Sequence, residues 1–251
     1  MSRLGRVRAE ATAAARSFLR RRTAVFFTFF FPVILVVIFG ALVRTQPTGG
    51  GLFAEPAGYY LPGYLAVVVL FTPLSRVGSE IARHRDGNRF EKLATTPLTR
   101  TEWLLAHTVV NVAIIGAASL LIFGLVLAVT DATVRVTPAL AVLPVFVAVG
   151  VATFCGLGAL LGAIADSQDG VIAASNTVAL PLLFLSETFV APSMLPGWFL
   201  PLVNLSPLTY FARGVRAITY DGGAWLGDLA VLSALAVALL ATGALALPRT
   251  D

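Results

Sequence analysis

The stretch AHTVVNVAIIGAASLLIFGLVLAV, residues 106–129, contains no Asp, Glu, Lys or Arg. A helix needs about 20 such residues to cross a hydrocarbon core of about 30 Å. Helices are expected because an unpaired backbone polar group in lipid costs several kcal/mol, and the ~10-residue alternation of a membrane barrel does not occur. Five other stretches are similarly long and apolar: 24–43, 59–79, 139–165, 171–190 and 229–247. The sequence therefore predicts an all-α, polytopic membrane protein with six transmembrane helices.

The composition agrees with a membrane protein. Hydrophobic residues make up 57% and charged residues 12% of the 251 residues, whereas soluble domains average about 25% charged residues. Six spans leave little sequence for a soluble catalytic domain. We therefore predict a single transmembrane domain over residues 1–251.

The basic residues predict the orientation. With the N-terminus inside, only Arg44, Arg135, Arg213 and Arg216 of the 18 basic residues would lie outside. The positive-inside rule then predicts a protein of the cell membrane with both termini cytoplasmic. The net charge of +5 is explained by basic residues that face the anionic headgroups of the lipid bilayer, so no nucleic-acid partner is predicted.

The N-terminal arm, residues 1–23, carries an amphipathic pattern. Leu4, Val7, Ala11, Ala14 and Phe18 recur at roughly helical spacing, and the arginines lie elsewhere around the helix. This pattern predicts an interfacial amphipathic helix on the inner leaflet. The alternative is a disordered basic tail.

The largest charged segment outside the arm is the loop from Glu80 to Leu105. Asp86-Gly87-Asn88 is a turn signal, and Asn88 can cap a short helix over 88–95 that Thr96-Pro97 ends. Phe90 would lie on one side of this helix, in position to insert as an aromatic knob into a partner's groove. The alternative is a solvated loop whose Phe90 dips into the membrane interface. Thr99 or Thr101 can then cap the third span.

The segment 191–226 is rich in both proline and apolar residues. Pro192, Pro196, Pro201 and Pro207 exclude one continuous helix, yet the segment is too apolar for a free aqueous loop. Non-helical backbone is tolerated at membrane depth when protein buries it. We therefore predict an outer re-entrant helical hairpin here.

Polar residues within the spans are expensive and are therefore default candidates for function. Asn111 shares a helix face with His107. These two residues serve either in packing or in a proton relay. Asn176 serves either as an interhelical hydrogen-bonding residue or as a substrate contact. Glu187 either pairs with Arg213 or Arg216 or lines an exit path. The possible substrate path is thus Asn111, Asn176 and Glu187.

The short loop after the fourth span carries a pair of acidic residues, Asp166 and Asp169. They could form a second contact with a partner on the inner side. The alternative is that Asp169 simply caps the fifth helix.

Several motifs together resemble the type-2 permeases of ATP-binding-cassette exporters. They are the basic arm, the six spans, the loop pattern Glu80, Gly87, Phe90-Glu91-Lys92-Leu93, Thr96-Pro97-Leu98, and the run PLLFLSETFVAPSMLPGWFLPLVNLSPLTYFARGVR at 181–216. The resemblance implies that 88–95 is a coupling helix that docks on an ATPase subunit, that permeases pair as homo- or heterodimers, and that substrate is exported along their interface. The residues predicted for ATPase coupling are Glu80, Gly87, Asn88, Phe90, Glu91, Leu93 and Pro97, with Asp166 and Asp169 as a second contact.

The residues also argue against catalysis by this chain. A Walker A loop needs a Gly-Lys pair, and the only lysine, Lys92, follows Glu91. We therefore predict no cofactor and no metal in this chain, with ATP and Mg²⁺ bound by the partner ATPase. Metalloprotease and nucleophile-elbow motifs do not occur.

The alternatives to an exporter permease are a gradient-driven secondary transporter or channel, an intramembrane enzyme, or a structural subunit. Secondary transporters usually carry midplane charges or broken helices in both halves, and these span centres are almost uncharged.

Overall fold

The computed structural model describes residues 2–42, 55–190 and 192–247, and these residues form helices and turns without a strand. This confirms the all-α prediction. The ten α-helices of the described residues are α1 (Arg3–Arg20), α2 (Arg22–Val36), α3 (Leu61–Asp86), α4 (Arg89–Leu93), α5 (Arg100–Val129), α6 (Leu143–Ile164), α7 (Gln168–Phe184), α8 (Leu200–Val203), α9 (Pro207–Arg216) and α10 (Leu226–Ala246).

Within the described residues, five helical stretches are long and apolar enough to cross a membrane: Arg22–Gly40, Ala57–Asp86, Arg100–Val129, Pro138–Ile164 and Leu226–Ala246. The predicted count of six is not reproduced, because α7 has only 17 residues. The prediction continued this helix to 190, but it ends at Phe184 and the chain turns from there. The predicted end of the first span, Val43, and the predicted start of the outer segment, Ala191, lie outside the described residues.

Helix α3 lies at the centre of the bundle and packs against α5, α6, α7 and α9, while α10 packs against α6. Glycines of α6 allow these close approaches. A Cβ atom on Gly158 would lie 2.5 Å from the carbonyl oxygen of Leu74, and one on Gly162 would lie 2.6 Å from that of Gly78. A Cβ on Gly156 would lie 2.5 Å from the backbone of Leu239 in α10. Helix–helix contact through small residues is the usual means of close packing in membranes.

The arm forms a helix, which excludes the disordered alternative. Ser2 caps α1 by accepting a hydrogen bond from the Gly5 amide at 3.2 Å. The helix packs along α5 and buries Ala14 and Phe18, whereas Leu4, expected on the apolar face, is 79% exposed. The apolar face of the arm is therefore used partly within the chain.

The proline-rich outer segment contains the two short helices that the sequence predicts, α8 and α9. Pro207 opens α9, where its missing amide hydrogen would have had no partner in any case. Helix α9 packs against α3, α6 and α10 and buries Phe211 completely. The re-entrant depth of this hairpin in a bilayer stays a prediction.

Candidate functional site

We call the end of the bundle that carries Asp86 and α4 the inner end, after the predicted orientation, and the opposite end the outer end. The inner loop turns at Asn88, the one non-glycine residue with positive φ (51°) among the described residues. Asparagine tolerates this left-handed conformation. The Asn88 side chain makes no capping hydrogen bond, so the prediction of a side-chain cap is wrong because the residue supplies the turn instead.

The helix after this turn is shorter than predicted. Helix α4 spans Arg89–Leu93, and turn hydrogen bonds continue to Thr96. Helix α5 then begins with a capping box: Thr99 accepts from the Glu102 amide at 3.3 Å and Glu102 accepts from the Thr99 amide at 3.1 Å. This confirms Thr99 as the cap of the third predicted span.

Phe90 is directed into its own chain. Its side chain is 5% exposed, and its ring centroid lies 5.5 Å from that of His84 and 5.6 Å from that of Trp103. Trp103 in turn lies 4.0 Å from His107. The expectation that Phe90 inserts into a partner's groove is therefore wrong for this chain. We call His84, Phe90, Trp103 and His107 the aromatic cluster; it holds α4 against the ends of α3 and α5.

The residues that remain exposed around α4 are mostly polar. Glu91 and Lys92 are exposed and Leu93 is half-buried. The other exposed residues of this loop are Asp86, Gly87, Asn88, Arg89, Ala94, Thr95, Thr96 and Pro97. The exposed surface of the loop is therefore charged and polar, whereas its apolar side, at Phe90, is already packed against other residues of this chain.

The turn between α6 and α7 joins this surface. Arg85, at the end of α3, donates to the carbonyl oxygens of Ala163, at 3.4 Å, and of Ala165. Asp166 and Asp169 are exposed beside this contact. Ser167 caps α7 by accepting from the Gly170 amide at 3.0 Å, so Asp169 is not the cap. We call residues 86–97 together with 166–169 the inner surface.

Glu80 belongs to the interior contacts of the chain rather than to the inner surface. Its carboxylate accepts from Arg83, and the Arg21 guanidinium lies 3.8 Å away. The Glu80 carbonyl lies 2.8 Å from the His84 ring. The Glu80 carboxylate is held between the arm and α3, and its predicted role in ATPase coupling stays a prediction.

Two further side-chain contacts hold the arm. The Arg6 guanidinium forks onto Glu102 with distances of 2.9 and 2.6 Å. Glu10 lies 3.3 Å from the His107 ring, and this hydrogen bond lowers the pKa of the Glu10 carboxyl. A lowered pKa means that the contact stabilises the docked arm fully above the ordinary glutamate pKa of about 4.3 and loses its effect as pH falls through the lowered value.

A cavity of about 520 Å³ lies between α1, α2, α3 and α7 at the inner half of the bundle. Asn176 is exposed and lines this cavity, and the described residues give its side chain no hydrogen-bond partner. An interhelical role for Asn176 within this chain is therefore wrong. Asn111 does not reach the cavity; it is 1% exposed, and its Nδ2 donates to the His107 carbonyl oxygen at 2.8 Å.

Glu187 lies in a charged cluster at the outer end. Its carboxylate accepts from Arg213 at Nε, 2.7 Å away, and at Nη2. Arg216 donates to the Glu187 carbonyl oxygen at 2.5 Å and lies 3.9 Å from the centroid of the Tyr59 ring. The predicted pairing of Glu187 is confirmed, and it takes Arg213 as partner. We call Glu187, Arg213, Arg216 and Tyr59 the outer cluster.

The described residues thus form an all-helical bundle with a charged and polar inner surface, an inner loop packed on the aromatic cluster, and an ion pair at the outer end. Residues 7–220 match the family model described as ABC-2 type transporter. The chain belongs to the ABC-2 type transporter family. It is also 27% identical, over 217 residues, to the daunorubicin resistance ABC transporter permease protein DrrB1 of Streptomyces coeruleorubidus; the match covers 84% of this chain and 73% of that protein.

For this ABC-2 permease, the candidate residues fall into separate groups. The structure brings Asn88, Glu91 and the two aspartates to one inner surface. It does not bring Asn111, Asn176 and Glu187 together: only Asn176 lines the large cavity, Asn111 is buried inside the bundle, and Glu187 is at the outer end.

The sequence reasoning missed two groups of residues in this permease. Arg85 and Trp103 organise the inner surface but carry no signal of their own in the sequence. Arg76 is one of the 14 basic residues (18 less the four outer arginines) assigned to the inner side, although it lies inside the predicted span 59–79. A charged residue inside a span is itself a functional signal, and this signal would have found Arg76.

Proposed function

We propose that this chain is the membrane subunit of an ATP-driven exporter, in which a separate ATP-binding-cassette subunit binds ATP and Mg²⁺ and hydrolyses ATP. The proposal places the chain in the cell membrane with both termini in the cytoplasm, paired with a second permease. Membership in the ABC-2 type transporter family supports this function. The ATPase has to come from another chain because the sequence lacks the Gly-Lys pair of a Walker A loop.

The observation that carries the proposal is the construction of the inner surface. Glu91 and Lys92 are exposed, yet the helix that bears them is fixed by the buried Phe90. A five-residue helix has no stability by itself. Its attachment to α3 and α5 therefore makes the polar surface a rigid docking element rather than a free loop.

The same attachment provides a route for motion. A displacement of α4 would act through Phe90 and Trp103 on the ends of α3 and α5, and through Arg85 on the turn after α6. Because Glu102 and His107 of α5 contact Arg6 and Glu10 of α1, a movement of α5 would also move α1. Closure of the ATPase subunits would thus rock the permease as a rigid body, which is a common form of switching.

The similar permease DrrB1 suggests a class of cargo for this chain. The printed name of DrrB1 refers to daunorubicin resistance, and we propose that this chain also exports a drug-like small molecule. The cavity lined by Asn176 and by aromatic residues of α2 and α3 offers mixed polar and apolar surface for such a molecule. Lipid and lipid-linked glycan cargoes are the alternatives, and the transport assay would include them.

The test is co-purification with candidate ATPase subunits, including any that is encoded beside the gene. We expect Glu91→Arg to weaken ATPase binding by about tenfold, equivalent to about 1.4 kcal/mol, because it reverses an exposed charge at the centre of the inner surface. Asp131→Arg is the matched control, since Asp131 is also exposed but lies beyond the outer end of α5. The Asp131 variant should retain the ATPase at the wild-type level.

A different result would favour a different class of protein. Wild-type permease that retains no ATPase, but moves substrate when only an ion gradient is present, would make this chain a gradient-driven carrier. Equal loss of the ATPase in the Glu91 and Asp131 variants would place the docking site elsewhere.

A further inference from the structure

Arg76 lies in the wall of the large cavity with an unsatisfied nitrogen. Its Nη1 is buried and has no hydrogen-bond partner among the described residues. One face of the guanidinium is covered by Phe18, whose ring centroid is 4.2 Å away. A buried donor on a charged group is expensive to leave unpaired, so this position is suited to an acceptor that the chain does not supply.

The charges around the cavity favour a negatively charged hydrogen-bond acceptor beside Arg76. Arg21, Arg76 and Arg83 line the cavity with one acidic residue, Glu80. The Glu80 carboxylate already accepts from Arg83 and faces Arg21 at 3.8 Å. No described carboxylate lies within ion-pair distance of Arg76, and the cavity therefore carries excess positive charge beside it.

The rest of the wall has both polar and apolar parts. Thr72, Ser75 and Ser79 provide hydroxyl groups on the same helix as Arg76. Phe27, Phe31 and Phe71 provide aromatic surface from α2 and α3. A ligand that uses the whole cavity would therefore combine an oxyanion with an apolar body.

The position of Arg76 along α3 agrees with such a ligand. It lies about 15 Å before the end of the helix at Asp86. The span Ala57–Asp86 has 30 residues, or about 45 Å, against a hydrocarbon core of about 30 Å. If the part of the helix that exceeds the hydrocarbon core lies at the inner end, Arg76 is near the level where the lipid headgroups begin.

We propose that this cavity binds an amphiphilic anion, with its oxyanion on Arg76 and the neighbouring hydroxyl groups and its apolar part against Phe27, Phe31 and Phe71. An inner-leaflet phospholipid and a free amphiphile share this chemistry. This is the cavity that the proposed function assigns to the cargo, so the proposal rests on the proposed function where it treats the ligand as cargo. Binding itself is a property of the permease chain alone and is measured without an ATPase.

Native mass spectrometry of the permease in a non-ionic detergent tests the proposal. The probes are dioleoylphosphatidylglycerol, dioleoylphosphatidylcholine and dodecyl phosphate. We expect wild type to bind one phosphatidylglycerol about tenfold more tightly than phosphatidylcholine and Arg76→Gln to lose this preference. Arg20→Gln removes an exposed charge near the end of α1 and should keep it.

A second variant covers the case in which Arg76→Gln does not fold. Asn176 is exposed, so Asn176→Phe should fold normally while its ring narrows the cavity. We expect this variant to bind phosphatidylglycerol several-fold less tightly.

The displacement of bound phosphatidylglycerol by dodecyl phosphate separates the two sources of ligand. Displacement would identify a site that exchanges free amphiphiles, and resistance to displacement would identify a lipid site. An unchanged preference in Arg76→Gln, an unchanged phosphatidylglycerol affinity in Asn176→Phe, or no preference in wild type would overturn the proposal.

Discussion

Phe90→Ala is expected to release α4 from the bundle and to reduce retention of the partner ATPase at least tenfold. Truncating a buried phenylalanine typically costs 3–5 kcal/mol, and Phe90 is 5% exposed against His84 and Trp103. Because α4 has only five residues, its own hydrogen bonds would not keep it folded, and the half-buried Leu93 would be its main remaining apolar contact. The measurement is amide hydrogen exchange over residues 86–98 together with co-purification of the ATPase.

Two variants control this result. Phe90→Leu keeps most of the buried apolar volume and should retain most of the exchange protection and of the bound ATPase. Phe184→Ala removes a ring that is 58% exposed and should not change exchange in residues 86–98. Wild-type exchange and wild-type ATPase retention in Phe90→Ala would show that the aromatic cluster does not support the inner surface.

Arg213→Met is expected to lower the free energy of unfolding by about 3 kcal/mol. The substitution leaves the Glu187 carboxylate, whose side chain is 4% exposed, without its partner in a buried position. Breaking a buried ion pair from one side typically costs 3–5 kcal/mol, and the partial exposure of Arg213 argues for the lower end of this range. Equilibrium unfolding in mixed micelles measures the change.

A double-mutant cycle separates the pair from its surroundings. Glu187→Met combined with Arg213→Met removes both charges and should recover most of the stability, because apolar replacement of a whole buried pair is often neutral. Arg135→Met, at an exposed arginine of the same end that donates to the Asp221 carbonyl oxygen at 3.1 Å, should change stability by at most about 1 kcal/mol. If the losses of Glu187→Met alone and Arg213→Met alone simply add in the double variant, the two charges are not coupled.

Features of the fold that depend on local sequence were predictable. Apolar length alone marked the long helices, and the prolines of the outer segment required short helices such as α8 and α9. The capping of α5 by Thr99 also followed from its neighbours in sequence, since Thr99 and Glu102 are only three residues apart. The amphipathic spacing of the arm correctly indicated a helix.

Features that depend on distant partners were not predictable in this way. The inward direction of Phe90 is decided by Trp103 and His84 on two other helices. Likewise, Arg6 and Glu10 appear in the sequence as ordinary surface charges, and only the packing of α1 on α5 brings them to Glu102 and His107. The sequence patterns identify which residues can share a helix face, but not which neighbouring helix that face meets.

Short-range competition explains two smaller errors. Both Ser167 and Asp169 are good helix caps, and the earlier residue caps α7, which leaves Asp169 in the first turn. At Asn88, the same side chain that favours capping also tolerates the left-handed backbone, and the turn uses that second property. Either outcome agrees with the residue type alone.

Site-specific photocross-linking in membranes that contain the partner ATPase tests the central claim most directly. A photoreactive phenylalanine would replace Glu91, Asp166 or Asp131, all of which are exposed. The account predicts cross-links to the ATPase from positions 91 and 166 and none from position 131. Absence of the ATPase from the products at both inner positions, or equal cross-linking at position 131, would contradict a docking surface formed by α4 and the turn between α6 and α7.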